Sequence, residues 1–147
     1  MQRYSRQREM IYEYLVGTTE HPTAETVYNV LKKDAPNISL ATVYRNLNLL
    51  VDLGKAVKLD TGEGFDRFDA NTDNHYHFVC TSCHKVTDIF EGILKEETLK
   101  EIVGNDHEIE GHKLFVYGKC PECSKRLKKL SKKCILQYSL PILFYVR

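Results

Sequence analysis

Two pairs of cysteines constrain this chain more than any other feature. They stand as Cys80-Thr-Ser-Cys83 and Cys120-Pro-Glu-Cys123, separated by residues 84–119. Four thiolates in two C-x-x-C pairs match the tetrahedral sulfur shell that zinc takes in structural sites. A fold built around such a site must bring two distant segments together. We therefore expect a structural Zn(II) on these four cysteines.

Two other interpretations of the cysteines stay open. Disulfides are typical of small secreted chains, but the polar N-terminus lacks the apolar core of a signal peptide. Cys80-Thr-Ser-Cys83-His84 also fits the C-x-x-C-H attachment sequence for c-type haem, which requires export and leaves the second pair without a role. We expect a cytoplasmic protein with bound zinc, and we interpret the fifth cysteine, Cys134, as incidental.

Composition excludes few classes of protein. With 147 residues, 42% of them hydrophobic and 28% charged, the chain suits one ordinary domain or two small ones. Its net charge of +1 hides a basic run over residues 119–133. Such a run is either a nucleic-acid patch or a solvated helix face, and we favour the solvated face.

The first part of the chain has the pattern of three short helices. Ser5, Thr23 and Ser39 are placed to cap their N-termini, and apolar residues then recur at helical spacing. Gly17 and Gly54 stand where the first and third helices should end.

A predicted hairpin follows these helices. Residues 56–60 alternate apolar and polar side chains, residues 61–64 form a glycine-containing turn, and residues 65–68 return as a second strand. Three helices and a hairpin are the order of a winged helix-turn-helix. We expect this DNA-binding domain to occupy residues 1–70.

The second part predicts a small α/β unit. Beyond the polar connector at 71–74 the pattern is strand, strand, helix and strand, at 77–80, 85–90, 94–103 and 114–117. We expect an α+β protein in which residues 71–130 form a metal-binding dimerisation domain. The apolar tail at 131–147 is interrupted by Pro141 and is too short to cross a bilayer, which takes ~20 residues. We assign it no role and expect no membrane association.

The third helix is the predicted DNA-reading element. Its apolar residues Val43, Leu47 and Leu50 face the core, which leaves Thr42, Tyr44, Arg45 and Asn48 for phosphates and base edges. Arg45 is the strongest single candidate, and Lys55 and Lys58 of the wing are expected at the DNA backbone. Ordinary solvated surface is the alternative. Because this domain is only weakly basic, we expect it to bind its double-stranded operator as a homodimer.

A second metal site is predicted around His75 and His77, which project to the same side of an extended chain. Asp69 and Asp88 lie close in sequence, and His21 can reach the site from the other domain. Three imidazoles and two carboxylates suit Fe(II), Mn(II), Co(II) or zinc better than a thiolate-preferring ion. Five ligands leave an octahedral ion one open position.

With these residues assembled, the chain resembles the ferric uptake regulator (Fur) family, most closely its peroxide-responsive repressors. The resemblance covers about residues 4–125 and rests on motifs in both domains, namely Ser5-Arg-Gln-Arg8, His21-Pro-Thr-Ala24, Ala41-Thr-Val-Tyr-Arg-Asn-Leu47, Arg67-Phe-Asp69, His75-Tyr-His77 and the paired cysteines. It implies a homodimeric, metal-activated repressor with zinc on the cysteines and regulatory Fe(II) or Mn(II) on the His/Asp set. It also adds Arg6 and Arg8 to the expected DNA contacts.

The carboxylates decide the expected subfamily. Iron-uptake regulators of this family tend to carry glutamates where this chain has Asp69 and Asp88, whereas its peroxide sensors carry aspartates. The resemblance thus implies that hydrogen peroxide is the signal, with His21 and His75 oxidised to 2-oxo-histidine. The chain departs from the family's H-H-x-H pattern at Asn74-His75-Tyr76-His77, so we expect the additional metal site of iron regulators to be absent or incomplete.

Three other functions stay open. The chain can be a repressor that responds to iron or manganese level, a metallohydrolase that uses His75 and His77, or a plain zinc-stabilised interaction module. No general base stands at a telling distance from the histidines, and hydrolysis leaves the winged helix unexplained. We therefore expect a regulator rather than an enzyme, with no catalytic residue.

Overall fold

The computed structural model describes residues 5–62, 64–92, 94–104, 106–127 and 129. Three helices and a hairpin form its first half. The elements are α1 (Arg6–Val16), α2 (Ala24–Leu31), α3 (Leu40–Asp52), β1 (Val57–Asp60) and β2 (Asp66–Asp69). Strands β1 and β2 pair antiparallel. This order confirms the winged helix-turn-helix predicted from the sequence.

Side-chain caps define the N-termini of α2 and α3, which are two of the three predicted positions. The hydroxyls of Thr23 and Ser39 each accept the amide N–H three residues further on, at 3.2 and 3.1 Å. Such caps satisfy amides that have no partner within the helix. Ser5 also stands at the N-cap of α1, but its side chain makes no capping bond. That part of the prediction was wrong.

The end of α3 is fixed by Gly54, which has a φ of 65°. The Gly54 amide donates to Val51 O and the Lys55 amide to Leu50 O, both at 2.9 Å. This pair of bonds is a Schellman motif, which needs a left-handed residue and so favours glycine. The motif turns the chain directly into the wing.

A single apolar core holds the winged helix together. Its buried side chains come from all three helices and from the wing, and they are Ile11, Leu15, Ala24, Val27, Leu31, Ile38, Val43, Leu47, Leu50, Ala56 and Phe68. Val43, Leu47 and Leu50 are thus buried as predicted, which fixes the rotation of α3 about its axis. The opposite face of α3 is directed outward.

The second half is a three-stranded sheet with one helix. It contains β3 (Tyr76–Cys80), β4 (Val86–Ile89), α4 (Glu96–Val103) and β5 (Phe115–Gly118), in the strand order β4-β3-β5. Strand β3 pairs antiparallel with β4 and parallel with β5. The predicted strand, strand, helix, strand order is confirmed.

Helix α4 begins later than predicted. Leu94 lies before the helix rather than in it. None of the helix residues is buried, and Ile102 is 67% exposed. Leu99 is half-buried, so the described part of the chain covers the apolar face of α4 only in part.

The remaining predictions concern segments near the C-terminus. Residues 121–127 are helical and contain Cys123, and Cys120 stands directly before them. The tail at 131–147, with Cys134, lies outside the described residues, as does part of the basic run. Among the described helices, none combines the length and apolar character needed to cross a membrane.

Candidate metal centres and nucleic-acid interface

The four paired cysteines converge on one point. Their sulfur atoms all lie within 4.8 Å of one another, and Cys83 Sγ is 3.7 Å from Cys120 Sγ. Two sulfurs bound to tetrahedral zinc at ~2.3 Å stand ~3.8 Å apart, whereas a disulfide is ~2.05 Å long. All four thiols are free. This cysteine cluster suits a structural zinc ion and not a pair of disulfides.

Backbone hydrogen bonds shape the cysteine cluster. The Cys120 amide donates to Cys80 Sγ at 3.3 Å. This bond is the largest of the effects that lower the pKa of the Cys80 thiol to about 5. The His84 amide donates to Cys80 O at 2.8 Å and closes the turn between the first two cysteines. The Thr81 amide donates to Gly118 O at 2.7 Å, which ties this turn to the end of β5.

The second predicted site is also assembled, from both halves of the molecule. His21 comes from the loop before α2, Asp69 ends β2, His75 precedes β3, His77 lies on β3 and Asp88 on β4. Each of the five offers one ligand atom, and these atoms all lie within 4.8 Å of one another. We call these five residues the regulatory cluster.

The ligand atoms of the regulatory cluster point at a common centre. Asp88 Oδ1 lies 2.6 Å from His21 Nε2 and 3.7 Å from His77 Nε2, and Asp69 Oδ2 lies 3.0 Å from His75 Nε2. Although these separations are short, all five atoms are buried without a hydrogen-bond partner of acceptable geometry. Buried polar atoms without partners are costly, so their convergence marks a place for an ion.

The spacing and chemistry of this cluster fit a divalent transition metal. Two ligands bound at right angles at ~2.1 Å stand ~3.0 Å apart, which falls within the range of the observed separations. Imidazole nitrogen with carboxylate oxygen forms a harder ligand set than thiolate. The cluster therefore suits Fe(II) or Mn(II), and the two sites differ in chemical character as expected.

Two ligands of the cluster are oriented by further hydrogen bonds. His75 Nδ1 lies 2.7 Å from Asp73 O, a contact that places its proton on Nδ1 and leaves Nε2 free to ligate. Asp69 Oδ1 accepts the Asn71 amide at 2.8 Å, which leaves Oδ2 for the centre. In contrast, His21 Nδ1 is buried and has no hydrogen-bond partner in the described structure.

Charge within the cluster shifts two pKa values. Burial lowers the pKa of His21, but the close contacts and charge attraction of Asp69 and Asp88 outweigh burial and raise it. Burial raises the pKa of Asp69, but the close imidazoles of His21 and His77 and the hydrogen bond from the Asn71 amide hold it well below its usual range. The carboxylates of Asp69 and Asp88 thus favour the protonated form of His21.

A hydrogen bond stands at the motif where we expected the additional site to be absent or incomplete. Tyr76, which stands between the two histidines of the motif, places its hydroxyl 2.8 Å from His112 Nε2. The Leu94 amide donates to the same hydroxyl at 2.9 Å. Only the cysteine and regulatory clusters bring three or more metal-ligating side chains together among the residues described.

The residues of α3 that we predicted at DNA are exposed to different extents. Tyr44, Arg45 and Asn48 are exposed on α3. Thr42 is half-buried, and its hydroxyl lies 2.9 Å from the Ser39 hydroxyl. Its side chain is therefore less available than the helical pattern predicted.

The basic residues predicted at the DNA backbone also have protein neighbours. Lys55 Nζ lies 5.3 Å from the centre of the Tyr12 ring. Lys58 pairs with Asp66 at 2.7 Å, an exposed contact that contributes ~0–1 kcal/mol and leaves the lysine free to move to a phosphate. Arg6 is exposed and Arg8 half-buried at the start of α1. Their roles at DNA stay predictions.

Sequence reasoning missed two residues beside the regulatory cluster. Phe115 stacks on His77, with ring centres 5.6 Å apart. Arg67 donates to the backbone of His21 at 3.1 Å. Arg67 stands in the Arg67-Phe-Asp69 motif, but sequence alone gave no reason to assign it a partner.

Comparison with known proteins agrees with this arrangement. The sequence profile of the Ferric uptake regulator family matches residues 2–117. The chain is 40% identical over 125 residues to the peroxide-responsive repressor PerR of Staphylococcus aureus, and the alignment covers 84% of each protein.

Solved structures give the same result. The fold is similar to the ferric uptake regulator of Vibrio cholerae, with a TM-score of 0.67, 31% identity and coverage of 80% of this chain and 92% of that one. It is similar to the Campylobacter jejuni peroxide stress regulator, with a TM-score of 0.65, 30% identity and coverage of 80% and 88%. With its winged helix, paired cysteines and mixed His/Asp cluster, the chain belongs to the ferric uptake regulator family.

Proposed function

We propose that this chain is a homodimeric, metal-dependent DNA-binding repressor that senses hydrogen peroxide through oxidation of a ligand histidine. The observation that carries the proposal is the convergence of five buried ligand atoms without hydrogen-bond partners in the regulatory cluster. The similarity to a staphylococcal repressor named as peroxide-responsive supports the choice of signal. Members of the family are transcription regulators, which supports a role without catalytic turnover.

The position of the regulatory cluster explains how metal can control DNA binding. His21 and Asp69 belong to the winged-helix half, whereas His75, His77 and Asp88 belong to the connector and the sheet. These five residues would hold Fe(II) or Mn(II), and binding by all five fixes the angle between the two halves. Metal thus favours one arrangement of the DNA-reading helices, and loss of a ligand releases it.

The proposed peroxide sensing requires a metal ligand that is oxidised when hydrogen peroxide reacts at the bound metal. Bound Fe(II) would supply the redox chemistry that activates peroxide, which Mn(II) does not supply. In the overall change, hydrogen peroxide transfers one oxygen atom to C2 of an imidazole and leaves as water, a two-electron oxidation of the ring. We assign this oxidation to His21 and His75. Oxidation of His21 would affect DNA binding more directly than oxidation of His75, because His21 belongs to the winged-helix half.

The proposed partners are a double-stranded operator and a second copy of the chain. On α3, Arg45, Tyr44 and Asn48 are exposed for groove contacts. The second half exposes apolar side chains that a partner protomer would cover, with Ile102 67%, Tyr117 54%, Val103 45% and Val116 40% exposed. Two linked winged helices double the phosphate contacts that each makes alone.

An alternative within the same family is a repressor that responds to iron or manganese level. The aspartates Asp69 and Asp88 favour the peroxide sensor, because family members that sense iron tend to carry glutamates at these positions. The two functions share the metal site and the DNA-binding domain. They differ in whether peroxide inactivates the iron-loaded protein.

Binding to a duplex selected by the Mn(II)-loaded protein from a random-sequence pool tests this proposal. We expect both the anaerobic Fe(II) form and the Mn(II) form to bind, and brief peroxide treatment to abolish binding by the Fe(II) form alone. Fresh metal should not restore that loss. Equal resistance of the two forms would favour the metal-level regulator, and binding that is independent of metal would overturn the proposal.

A further inference from the structure

The backbone of His21 holds an unusual conformation. Its φ is 50°, and within the described residues the only other non-glycine residue with positive φ is His84, at 60°. Left-handed backbone is uncommon for residues with a side chain and persists when the surroundings hold it in place. His21 belongs to the regulatory cluster, and His84 follows the first cysteine pair directly.

One side chain binds the carbonyl groups of both residues. Arg67 Nη1 donates to His21 O at 3.1 Å, and Arg67 Nη2 donates to His84 O at 2.8 Å. The planar guanidinium presents its donors in a fixed fork, so it can hold two carbonyls at a set separation. Phe65 lies against the guanidinium, with its ring centre 5.3 Å away. Arg67 therefore bridges the His21 loop and the cysteine turn.

His21 depends on its backbone more than the other oriented ligands do. His75 and Asp69 are held through their side chains by Asp73 O and the Asn71 amide. The Nδ1 atom of His21 has no such partner in the described part of the chain. The direction of its Nε2 atom is thus set by the loop, whose carbonyl Arg67 binds.

The second carbonyl that Arg67 binds, His84 O, lies beside the cysteine cluster. The His84 amide donates to Cys80 O at 2.8 Å, so the carbonyl that Arg67 binds belongs to the turn that carries Cys80 and Cys83. With zinc bound, this turn would give the guanidinium a fixed support. Arg67 itself lies on β2, two residues before Asp69, and so belongs to the same strand as another ligand.

We propose that Arg67 is a positioning residue that holds His21 in its ligating conformation by bridging the His21 loop to the zinc-binding turn. The inference rests on the proposed regulatory metal site and adds a connection between that site and the structural zinc. Removing partners that orient metal ligands typically weakens metal affinity by ~10–100-fold. We expect the same range for loss of the Arg67 side chain.

The test compares Arg67→Gln and Arg67→Lys with the control Arg126→Gln, which removes an exposed arginine from the C-terminal helical segment. Zinc content, Mn(II) dissociation constants and selected-duplex binding are measured on the full chain. We expect Arg67→Gln to keep its zinc, to bind Mn(II) ~10–100-fold more weakly and to regain duplex affinity at saturating Mn(II). The Mn(II) affinity of Arg67→Lys should lie between those of the parent and Arg67→Gln, because an ammonium keeps the charge but lacks the forked donors of the guanidinium.

Amide hydrogen exchange of the zinc-loaded, manganese-free protein supplies an independent readout. Peptides covering residues 17–24 should exchange faster in Arg67→Gln than in the parent and in the control. An Mn(II) affinity within about twofold of the parent, or unchanged exchange in this segment, would overturn the inference. If Arg67→Gln fails to fold, the same criteria apply to Arg67→Lys. If the parent binds no Mn(II), the proposed function fails, and the exchange comparison alone decides the inference.

Discussion

His77 and Asp88 face each other across the antiparallel β3–β4 pair, with Nε2 and Oδ1 3.7 Å apart. The sheet register therefore fixes two ligands of the regulatory cluster before any ion binds. Because successive strand residues point to opposite faces, a slip of one residue would bring Thr87 or Ile89 opposite His77. This half of the site is built on paired strands, whereas His21 reaches it from a loop.

The first prediction concerns His77. Replacing it by alanine removes one imidazole from the sheet side of the cluster, so we expect His77→Ala to lose Mn(II) binding and metal-dependent DNA binding. The matched control is His107→Ala, which removes an exposed histidine outside both clusters. Mn(II) titration with duplex binding checks the prediction. Normal metal-dependent DNA affinity in His77→Ala would indicate a plain zinc-stabilised module instead.

The second prediction concerns the structural zinc. Because structural zinc sites contribute on the order of 10 kcal/mol to folding, Cys120→Ser should lose its zinc and unfold the sheet half. Ser82→Ala, in the turn between Cys80 and Cys83, is the control and should keep its zinc. Metal analysis and thermal unfolding measure the effect. Retention of a full zinc complement and unchanged stability in Cys120→Ser would show that this cysteine is not a ligand.

The third prediction separates DNA contacts from metal control. Arg45→Ala should weaken selected-duplex binding by ~10–100-fold, because one guanidinium contact to a base or phosphate is lost. Mn(II) affinity should not change, since Arg45 lies on α3 and outside the regulatory cluster. Lys33→Ala, at an exposed position after α2, provides the control. Equal duplex affinities of the two variants would contradict the placement of α3 in the groove.

The fourth prediction concerns pH. The pKa of His21 is raised in the folded, ion-free protein. Its proton therefore stabilises that form below the ordinary value of ~6.5, and this contribution is lost as pH rises through the raised pKa. Metal binds only the neutral ring, so Mn(II) must displace the proton. We expect Mn(II) affinity to increase from about pH 6 upward and to level off above the pKa of His21. Mn(II) titrations across this range that show no pH dependence would contradict the assignment of His21 as a ligand.

The sequence was sufficient for the parts of the fold that depend on local chemistry. Thr23 and Ser39 cap their helices as predicted, and Gly54 ends α3, because each of these roles depends on one residue and its near neighbours. The two clusters were also predictable. Cysteine and histidine spacing carries most of the information about a metal site.

Other features depend on distant contacts that no local pattern reports. The bond between Tyr76 and His112 joins residues 36 positions apart, and the two bonds of Arg67 span 46 and 17 positions. The exposure of Ile102 on α4 likewise follows from the lack of a packing neighbour in the described structure, which helical spacing alone does not report. A local pattern can also fail on its own terms. Ser5 is a favourable N-cap residue and stands at the N-cap of α1, yet its side chain makes no capping bond.

The central claim is tested most directly by intact mass and peptide mapping of the Fe(II)-loaded protein before and after mild peroxide, with duplex binding followed on the same samples. We expect a gain of one oxygen atom, about 16 Da, on the peptide that carries His21 or His75, in proportion to the loss of DNA binding. The Mn(II)-loaded protein should gain none. Unmodified histidines with full DNA binding after peroxide would contradict the account and leave a regulator that responds to metal level alone.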